Sequence, residues 1–247
     1  MNGVHIEIAA EKIFEAFGFP VTNTLLMGWI TVLVLGVPAY LSYRKMSIIP
    51  GVIQNLFEIV VDKLLEVMSG VFDTRAKAEK YFPLVATIFL FVLVSNWLGI
   101  LPGIGSIGLI EIEGGHEKFI PFFRSTASDL NFTLALAIIS VMSANIFGIA
   151  ALGVWKHASK FFNFKGPIDF FVGILELISE FAKMISFSFR LFGNVFAGEV
   201  LLVIIGFLVP FVIPMPFLML ELFVGFIQAL VFAMLTMVFI SMAISHH

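Results

Sequence analysis

The sequence predicts an all-α integral membrane protein with about five membrane helices, the last two a long tilted hairpin, and an additional interfacial amphipathic helix. The 247 residues are 60% hydrophobic and only 13% charged, whereas soluble domains carry roughly 25% charged residues. Five apolar blocks supply the ~20 residues that a helix needs to cross a hydrocarbon core of ~30 Å. Lysine and arginine concentrate in alternate connecting segments, as a consistent membrane topology requires.

The apolar blocks follow one another within a single polytopic membrane domain, 1–247, without an internal repeat or a separate soluble domain. An N-terminal outer tail over 1–20 precedes them. Three blocks contain no charged residue and are predicted as spans over about 21–43, 82–101 and 130–155. The fourth and fifth blocks form the hairpin, with helices predicted over 168–209 and 217–244.

Two connecting segments have patterns of their own. Residues 51–69 place apolar side chains at helical spacing, while Glu58, Asp62 and Glu66 share the opposite face. This pattern predicts an amphipathic helix that lies along the cytoplasmic membrane interface or packs against a helix of another subunit. Residues 103–115, which are rich in glycine, are predicted as an outer loop.

The distribution of basic residues predicts the orientation. The segments 44–81 and 156–167 carry most of the 14 lysines and arginines, whereas 102–129 carries only Lys118 and Arg124. Because basic segments stay in the cytoplasm, we expect the N-terminus outside and the C-terminus in the cytoplasm. The first 20 residues match neither a secretory signal nor a transit peptide. We therefore expect the chain to begin near Met1, which favours a bacterial plasma (inner) membrane protein or an organelle-encoded one.

Several chemistries are not expected of this sequence. It contains no cysteine and its five histidines are scattered, so we expect no disulfide and no metal site. It has no G-x-x-x-x-G-K-[ST] motif, so this chain is not expected to bind a nucleotide. No cofactor and no nucleic-acid partner are expected, and membrane lipid is the surrounding solvent.

The hairpin contains charges where lipid is expected. Lys183 and Arg190 are the two basic residues within 168–209, and Arg190 lies near the middle of this block. A helix over the whole block would be about 63 Å long at 1.5 Å per residue, about twice the bilayer thickness. We therefore expect a strong tilt or a break near Gly193 or Gly198, and either arrangement places Arg190 well inside the membrane.

The polar residues of the hairpin fall on defined helix faces. At 100° per residue, one face of the first helix collects most of them: Glu176, Glu180, Lys183, Arg190 and Asn194. Glu199 lies nine residues after Arg190, on the opposite side of the helix and about 13 Å further along its axis. In the second helix Glu221 and Gln228 share a face, and the small residues at 225, 229 and 233 leave room for a close neighbour.

Two hypotheses account for Arg190. In the structural one, Arg190 pairs with a glutamate of this chain and holds the hairpin together. An arginine at the centre of a membrane helix costs about 2.5–3.5 kcal/mol, and buried ion pairs are weak stabilisers, so this explanation is the poorer one. In the functional one, Glu199 and Glu221 exchange protons on an ion path, and Arg190, which keeps its proton, is both a barrier and a counter-ion.

At these residues the sequence resembles the a subunit of the F-type ATP synthase, the membrane stator that faces the rotating c-ring. The resemblance rests on "LELISEFAKMISFSFR" before Arg190, "RLFGNVFAGE" (190–199) and "IQALVFAMLTMVFISMA" (227–243). It continues upstream in "PLVATIFLFVLVSNWLGILPG" (83–103) and "TASDLNFTLALAI" (126–138), and so extends over essentially the whole chain.

The resemblance implies roles for individual residues. Arg190 would meet the essential carboxylate of a c subunit and prevent a short circuit, with Asn194 and Gln228 beside the path. Glu199 and Glu221 would serve the half-channel open to the outside. Family members carry histidine or glutamate at the Glu221 position; because both positions are glutamate in this sequence, a histidine relay is not available. The inner half-channel would be bordered by Ser186, Lys183, Glu180 and Glu176. The implied partners are the c-ring subunits and the b-subunit peripheral stalk.

Other polar residues keep two interpretations each. Asp129 and Asn131 either border the outer path or cap a helix, and Asn96 either lines that path or bonds to another span. Glu176 and Glu180 have ion-pair spacing to Lys183, which makes a local salt bridge an alternative to a channel role. Rival functions are an ion-coupled secondary transporter, which would show repeats and broken helices, and a structural membrane scaffold. The transported ion, H⁺ or Na⁺, stays open because Na⁺ ligands would lie on the rotor.

Overall fold

The computed structural model describes residues 9–16, 18–44, 51–101, 103–113, 116–158, 166–209 and 213–245. Within these ranges, five helices are long and apolar enough to cross a membrane: α1 (Asn23–Arg44), α3 (Arg75–Ile100), α4 (Leu130–Leu152), α6 (Pro167–Leu208) and α7 (Pro214–Ile244). Two further helices are α2 (Val52–Phe72) and the short α5 (Val154–Ala158). The prediction of an all-α integral membrane protein is confirmed.

Two β-hairpins were not predicted. Strand β1 (Lys12–Ala16) pairs antiparallel with β2 (Phe19–Thr22), and β3 (Gly108–Glu113) pairs antiparallel with β4 (His116–Pro121). The predicted outer loop over 103–115 thus contains, from Gly108 onward, strand structure that was not predicted. The sequence carries Gly-Gly between β3 and β4, a typical hairpin connection, flanked by residues of high β propensity.

Helix α3 begins earlier than the predicted span. The span was placed at 82–101 because charged residues precede it, but the helix starts at Arg75 and includes the basic residues that were assigned to a loop. Thr74 caps this end: its hydroxyl accepts a hydrogen bond from the Lys77 backbone N–H at 3.4 Å. The first turns of α3 therefore hold basic residues, and the apolar part of the helix follows them. Lys45, Lys160 and Lys165, also counted for orientation, lie outside the described residues.

The first helix of the hairpin is continuous. Helix α6 contains 42 residues and runs through Gly193 and Gly198, so the expected alternative of a break at these glycines is wrong. Pro167 occupies its first turn, where a missing N–H costs no helical hydrogen bond. By contrast, the third predicted span ends early, because Gly153 with φ +86° separates α4 from α5.

Helix α2 packs against α3 through one face. Leu64, Met68 and Phe72 are buried in the core, whereas the acidic residues Glu58, Asp62 and Glu66 are exposed. The helix thus has the two-sided character that its sequence pattern predicts.

Polar contacts fix the hairpin against α4. Ser140 of α4 and Thr236 of α7 share a hydrogen bond of 2.8 Å, and Thr133 of α4 and Ser188 of α6 share one of 3.0 Å. All four side chains are buried. Because lipid provides no hydrophobic driving force between membrane helices, such bonds and close packing hold them together. These contacts set the rotation of α6 and α7, and with it the position of each charged residue.

Candidate ion pathway

Arg190 lies on the outward face of α6. Its side chain is exposed, whereas Phe187 and Leu191 on the inward face are buried. Among the described residues it forms no hydrogen bond and no ion pair, so the pairing with a glutamate of this chain that the structural hypothesis requires is not seen there. Ser186 and Asn194, one turn to either side, are also exposed.

The two amide residues assigned to the path are in contact. Asn194 Nδ2 donates a hydrogen bond of 2.7 Å to Gln228 Oε1, which links α6 to α7 one turn beyond Arg190. Gln228 is buried, and its Nε2 has no hydrogen-bond partner in the described part of the chain. A buried amide donor without a partner is costly, so this N–H group is available to water or to a group from another subunit.

A cavity of about 630 Å³ opens between α3, α6, α7 and the β3–β4 hairpin. Its lining includes four charged residues: Glu11, Arg124, Glu199 and Glu221. It touches the C-terminal end of α3, at Gly99 and Ile100, and therefore lies at the end of this helix opposite to its basic first turns. We call it the outer cavity. The structure brings Glu199 and Glu221 together in it, although they belong to different helices.

Glu221 is accommodated by a glycine. Its side chain is buried, and the carboxyl group lies directly against Gly198 of α6. A Cβ added at Gly198 would lie 2.1 Å from Cδ and from both carboxyl oxygens of Glu221. Within the described residues Glu221 has no hydrogen bond or ion pair. The α6–α7 packing at this level thus depends on the absence of a side chain at position 198.

Glu199 is paired with an arginine that the sequence analysis used only to assign orientation. Arg124 Nε lies 3.1 and 3.3 Å from the two carboxyl oxygens of Glu199, and Arg124 Nη1 donates a bond of 3.1 Å to the Ala9 carbonyl oxygen. The guanidinium also lies 5.8 Å from the ring centre of Phe196. The arginine that directly follows the apolar run 119–123 was the available signal, but 75 residues separate it from its partner.

At the other end of α6, a polar network joins three helices. Lys183 Nζ donates to Glu180 Oε1 at 2.9 Å, and Asn145 Nδ2 of α4 lies 3.4 Å from Glu180 Oε2. His157 Nε2 of α5 lies 3.0 Å from Asn145 Oδ1. The predicted local salt bridge is therefore present between Lys183 and Glu180, whereas Asn145 and His157 were not predicted to take part. Glu176, one turn before Glu180, is half-buried and also engaged in an interaction.

The residues with two interpretations have structural contacts. Asn96 Nδ2 donates to the Gly225 carbonyl oxygen of α7 at 3.1 Å. Asp129 caps α4 by accepting from the Asn131 backbone N–H at 2.9 Å, and its second oxygen accepts from Thr24 of α1 at 3.0 Å. None of Asn96, Asp129 and Asn131 lines the outer cavity. Asn96 and Asp129 thus each form a hydrogen bond to another helix.

Within the described residues, five helices long and apolar enough to cross a membrane define a multi-pass membrane protein, and its longest two helices carry ionisable groups. The sequence matches the family model described as ATP synthase A chain over residues 25–241. It is 35% identical over 214 residues to "ATP synthase subunit a 3" of Pelobacter propionicus (strain DSM 2379 / NBRC 103807 / OttBd1), covering 86% of this chain and 83% of the relative. It is also 35% identical over 204 residues to "ATP synthase subunit a" of Helicobacter pylori (strain Shi470), covering 81% and 80%. The chain belongs to the ATP synthase subunit a family.

Proposed function

We propose that this chain provides two offset aqueous half-channels for protons to and from the c-ring, with Arg190 as the electrostatic gate, and so couples proton flow to rotor rotation and ATP synthesis. The observation that supports this proposal is the contrast between two arginines. Arg124 is buried and paired, whereas Arg190 is exposed on the outward face of α6 and has no partner among the described residues. A guanidinium at membrane depth costs about 2.5–3.5 kcal/mol unless water or a carboxylate from outside this chain compensates it.

The proposed path begins in the outer cavity. A proton from outside passes Glu221 and Glu199 and neutralises a c-subunit carboxylate, which then moves into lipid. After nearly a full turn this carboxylate reaches the inner half-channel, bordered by Ser186, Lys183, Glu180 and Glu176. There it releases its proton and is attracted to Arg190, beside Asn194 and Gln228. One charge that crosses the field supplies about 2.3 kcal/mol per 100 mV, and this work turns the ring.

The orientation of the cavity agrees with this direction of flow. The outer cavity touches the C-terminal end of α3, whereas Arg75, Lys77 and Lys80 lie in the first turns of the same helix. Since basic residues mark the cytoplasmic side, the cavity opens outside, with the N-terminus outside and the C-terminus in the cytoplasm of a bacterial inner membrane. The chain acts without a catalytic site of its own, beside the c-ring and the b-subunit peripheral stalk.

The test is Arg190→Ala in inverted membrane vesicles that contain the whole complex, with ATP-driven proton pumping measured by a pH-sensitive dye. We expect pumping to be abolished while the complex assembles in normal amounts. A matched control is Arg75→Ala, which removes an exposed arginine that pairs, among the described residues, with Glu79 on the surface and should leave pumping unchanged. Normal pumping by the Arg190 variant would refute the gate and support a structural role instead.

A further inference from the structure

The two acids of the outer cavity have different surroundings. Both carboxyl oxygens of Glu199 contact Arg124, whereas Glu221 lies against Gly198 and has no charged or hydrogen-bonding partner among the described residues. We propose that Arg124 is a positioning residue that holds Glu199 as a fixed carboxylate, so that Glu221 alone takes up and releases protons in the outer half-channel. This inference rests on the proposed function, in which Glu199 and Glu221 both lie on the outer path, and it assigns the two residues different roles.

The guanidinium of Arg124 is held in one orientation. Besides Glu199, it contacts the Ala9 carbonyl oxygen at 3.1 Å and the face of Phe196 at 5.8 Å. The backbone next to it is also fixed: a Cβ added at Gly99 of α3 would lie 2.5 Å from the Ser125 Cβ, so Ser125 packs where α3 lacks a side chain. A planar guanidinium with several fixed contacts retains its position and its charge.

A paired carboxylate is a poor proton carrier. If Glu199 accepted a proton, Arg124 would remain as a buried cation without compensation, which is unfavourable. Glu221 can change its charge without leaving a cation unpaired. The remaining charged group of the cavity, Glu11, lies at the N-terminal hairpin, where Asn23 Nδ2 is 3.5 Å from its Oε2.

The pair therefore serves the path as a neutral unit. Removal of either member changes the net charge of the outer cavity by one unit. A lone Arg124 would repel protons, and a lone Glu199 would retain them. Removal of both members leaves the net charge of the cavity as it was and Glu221 unaltered, which makes the double variant the informative one.

The experiment measures ATP-driven proton pumping in inverted vesicles that contain the whole complex. Arg124→Gln and Glu199→Gln should each reduce pumping at least about tenfold, because each leaves one charge, the buried Arg124 or the partly exposed Glu199, without its partner. The double variant should return to within about threefold of the unaltered chain, as expected for residues that act through each other. Arg124→Lys, which keeps the charge, should retain most of the activity.

Glu221→Gln provides the comparison. It should abolish pumping, and adding Arg124→Gln to it should rescue nothing. If Glu199 itself carries protons, the double variant Arg124→Gln/Glu199→Gln will stay as inactive as Glu199→Gln, and the inference is overturned.

Assembly is measured for every variant, and an apolar pair, Arg124→Met/Glu199→Met, repeats the test with side chains of similar length. Failure of both double variants to assemble would also overturn the inference, since the pair would then be needed for folding. Normal pumping by Arg190→Ala would instead refute the proposed function, and the rescue pattern at Arg124 and Glu199 would still be measurable.

Discussion

The contact between Gly198 and Glu221 predicts that the smallest possible addition to α6 at this level disrupts the outer cavity. In Gly198→Ala the new Cβ would lie 2.1 Å from the carboxyl group of Glu221, whereas ordinary contacts of this kind are 3.4–4 Å. The carboxyl must therefore move by at least about 1.3 Å, the shortfall between 2.1 and 3.4 Å. The carboxyl is the far end of a flexible side chain, so this movement costs little stability, but it displaces the acid that the proposed path uses.

The assay is ATP-driven proton pumping by vesicles that contain the whole complex. Gly198→Ala should lower pumping several-fold, because the acid on the proposed path is displaced. Gly36→Ala is the control, because a Cβ at Gly36 of α1 meets nothing within 4 Å and Gly36 does not line the outer cavity. This control should pump normally.

A second substitution makes the steric explanation testable. Glu221→Asp shortens the side chain by one methylene, about 1.5 Å, which exceeds the shortfall. The double variant Gly198→Ala/Glu221→Asp should therefore pump better than Gly198→Ala and no worse than Glu221→Asp alone. Unaltered pumping by Gly198→Ala, or a double variant no better than it, would show that the two residues are not packed together as described.

Two further predictions concern contacts of the hairpin. Gln228→Leu removes the acceptor for Asn194 Nδ2 and the Nε2 group that has no partner in the described part of the chain, so pumping should fall several-fold while assembly is retained. Gln228→Glu should pump better than Gln228→Leu. Equal pumping by the unaltered chain and both variants would contradict a role for this amide. Ser140→Ala and Thr236→Val each break the buried hydrogen bond of 2.8 Å between α4 and α7. A double-mutant cycle on thermal stability in detergent should give a coupling energy of about 0.6 kcal/mol, and such bonds in membranes reach about 1.7 kcal/mol at most. Additive effects of the two substitutions would show that this bond does not hold the hairpin.

The sequence predicted those features that depend on local pattern. Apolar blocks of sufficient length predicted all five helices that can cross a membrane, but they left open whether the longest one is tilted or broken, and the structure shows it to be uninterrupted. The helix start at Arg75 was missed because hydropathy marks the part of a helix suited to lipid, whereas the Thr74 cap marks where the helix begins. The β3–β4 hairpin was missed because the glycine-rich segment was predicted only as a loop.

The candidate site was predicted in part for a similar reason. Helical periodicity shows which residues share a face of one helix, and it groups the polar residues of α6 on one face. The structure leaves Arg190 and Asn194 exposed and joins Glu180 to α4. Periodicity carries no information on how α6 and α7 are rotated relative to each other, and the contact between Gly198 and Glu221 depends on that rotation. Nor can it show that Arg124, 75 residues before Glu199, returns to pair with it.

The two arginines together indicate which parts of the site are complete within this chain. Arg124 is satisfied by a carboxylate, a carbonyl oxygen and an aromatic ring, all from the chain itself. Arg190 has the same chemistry but lies on the outward face of α6, next to exposed apolar side chains such as Phe189. Lipid cannot compensate a guanidinium that never loses its proton. A negative or strongly polar group must therefore approach α6 from another subunit or through water, and the open position beside Arg190 is where the proposed rotor carboxylate would bind.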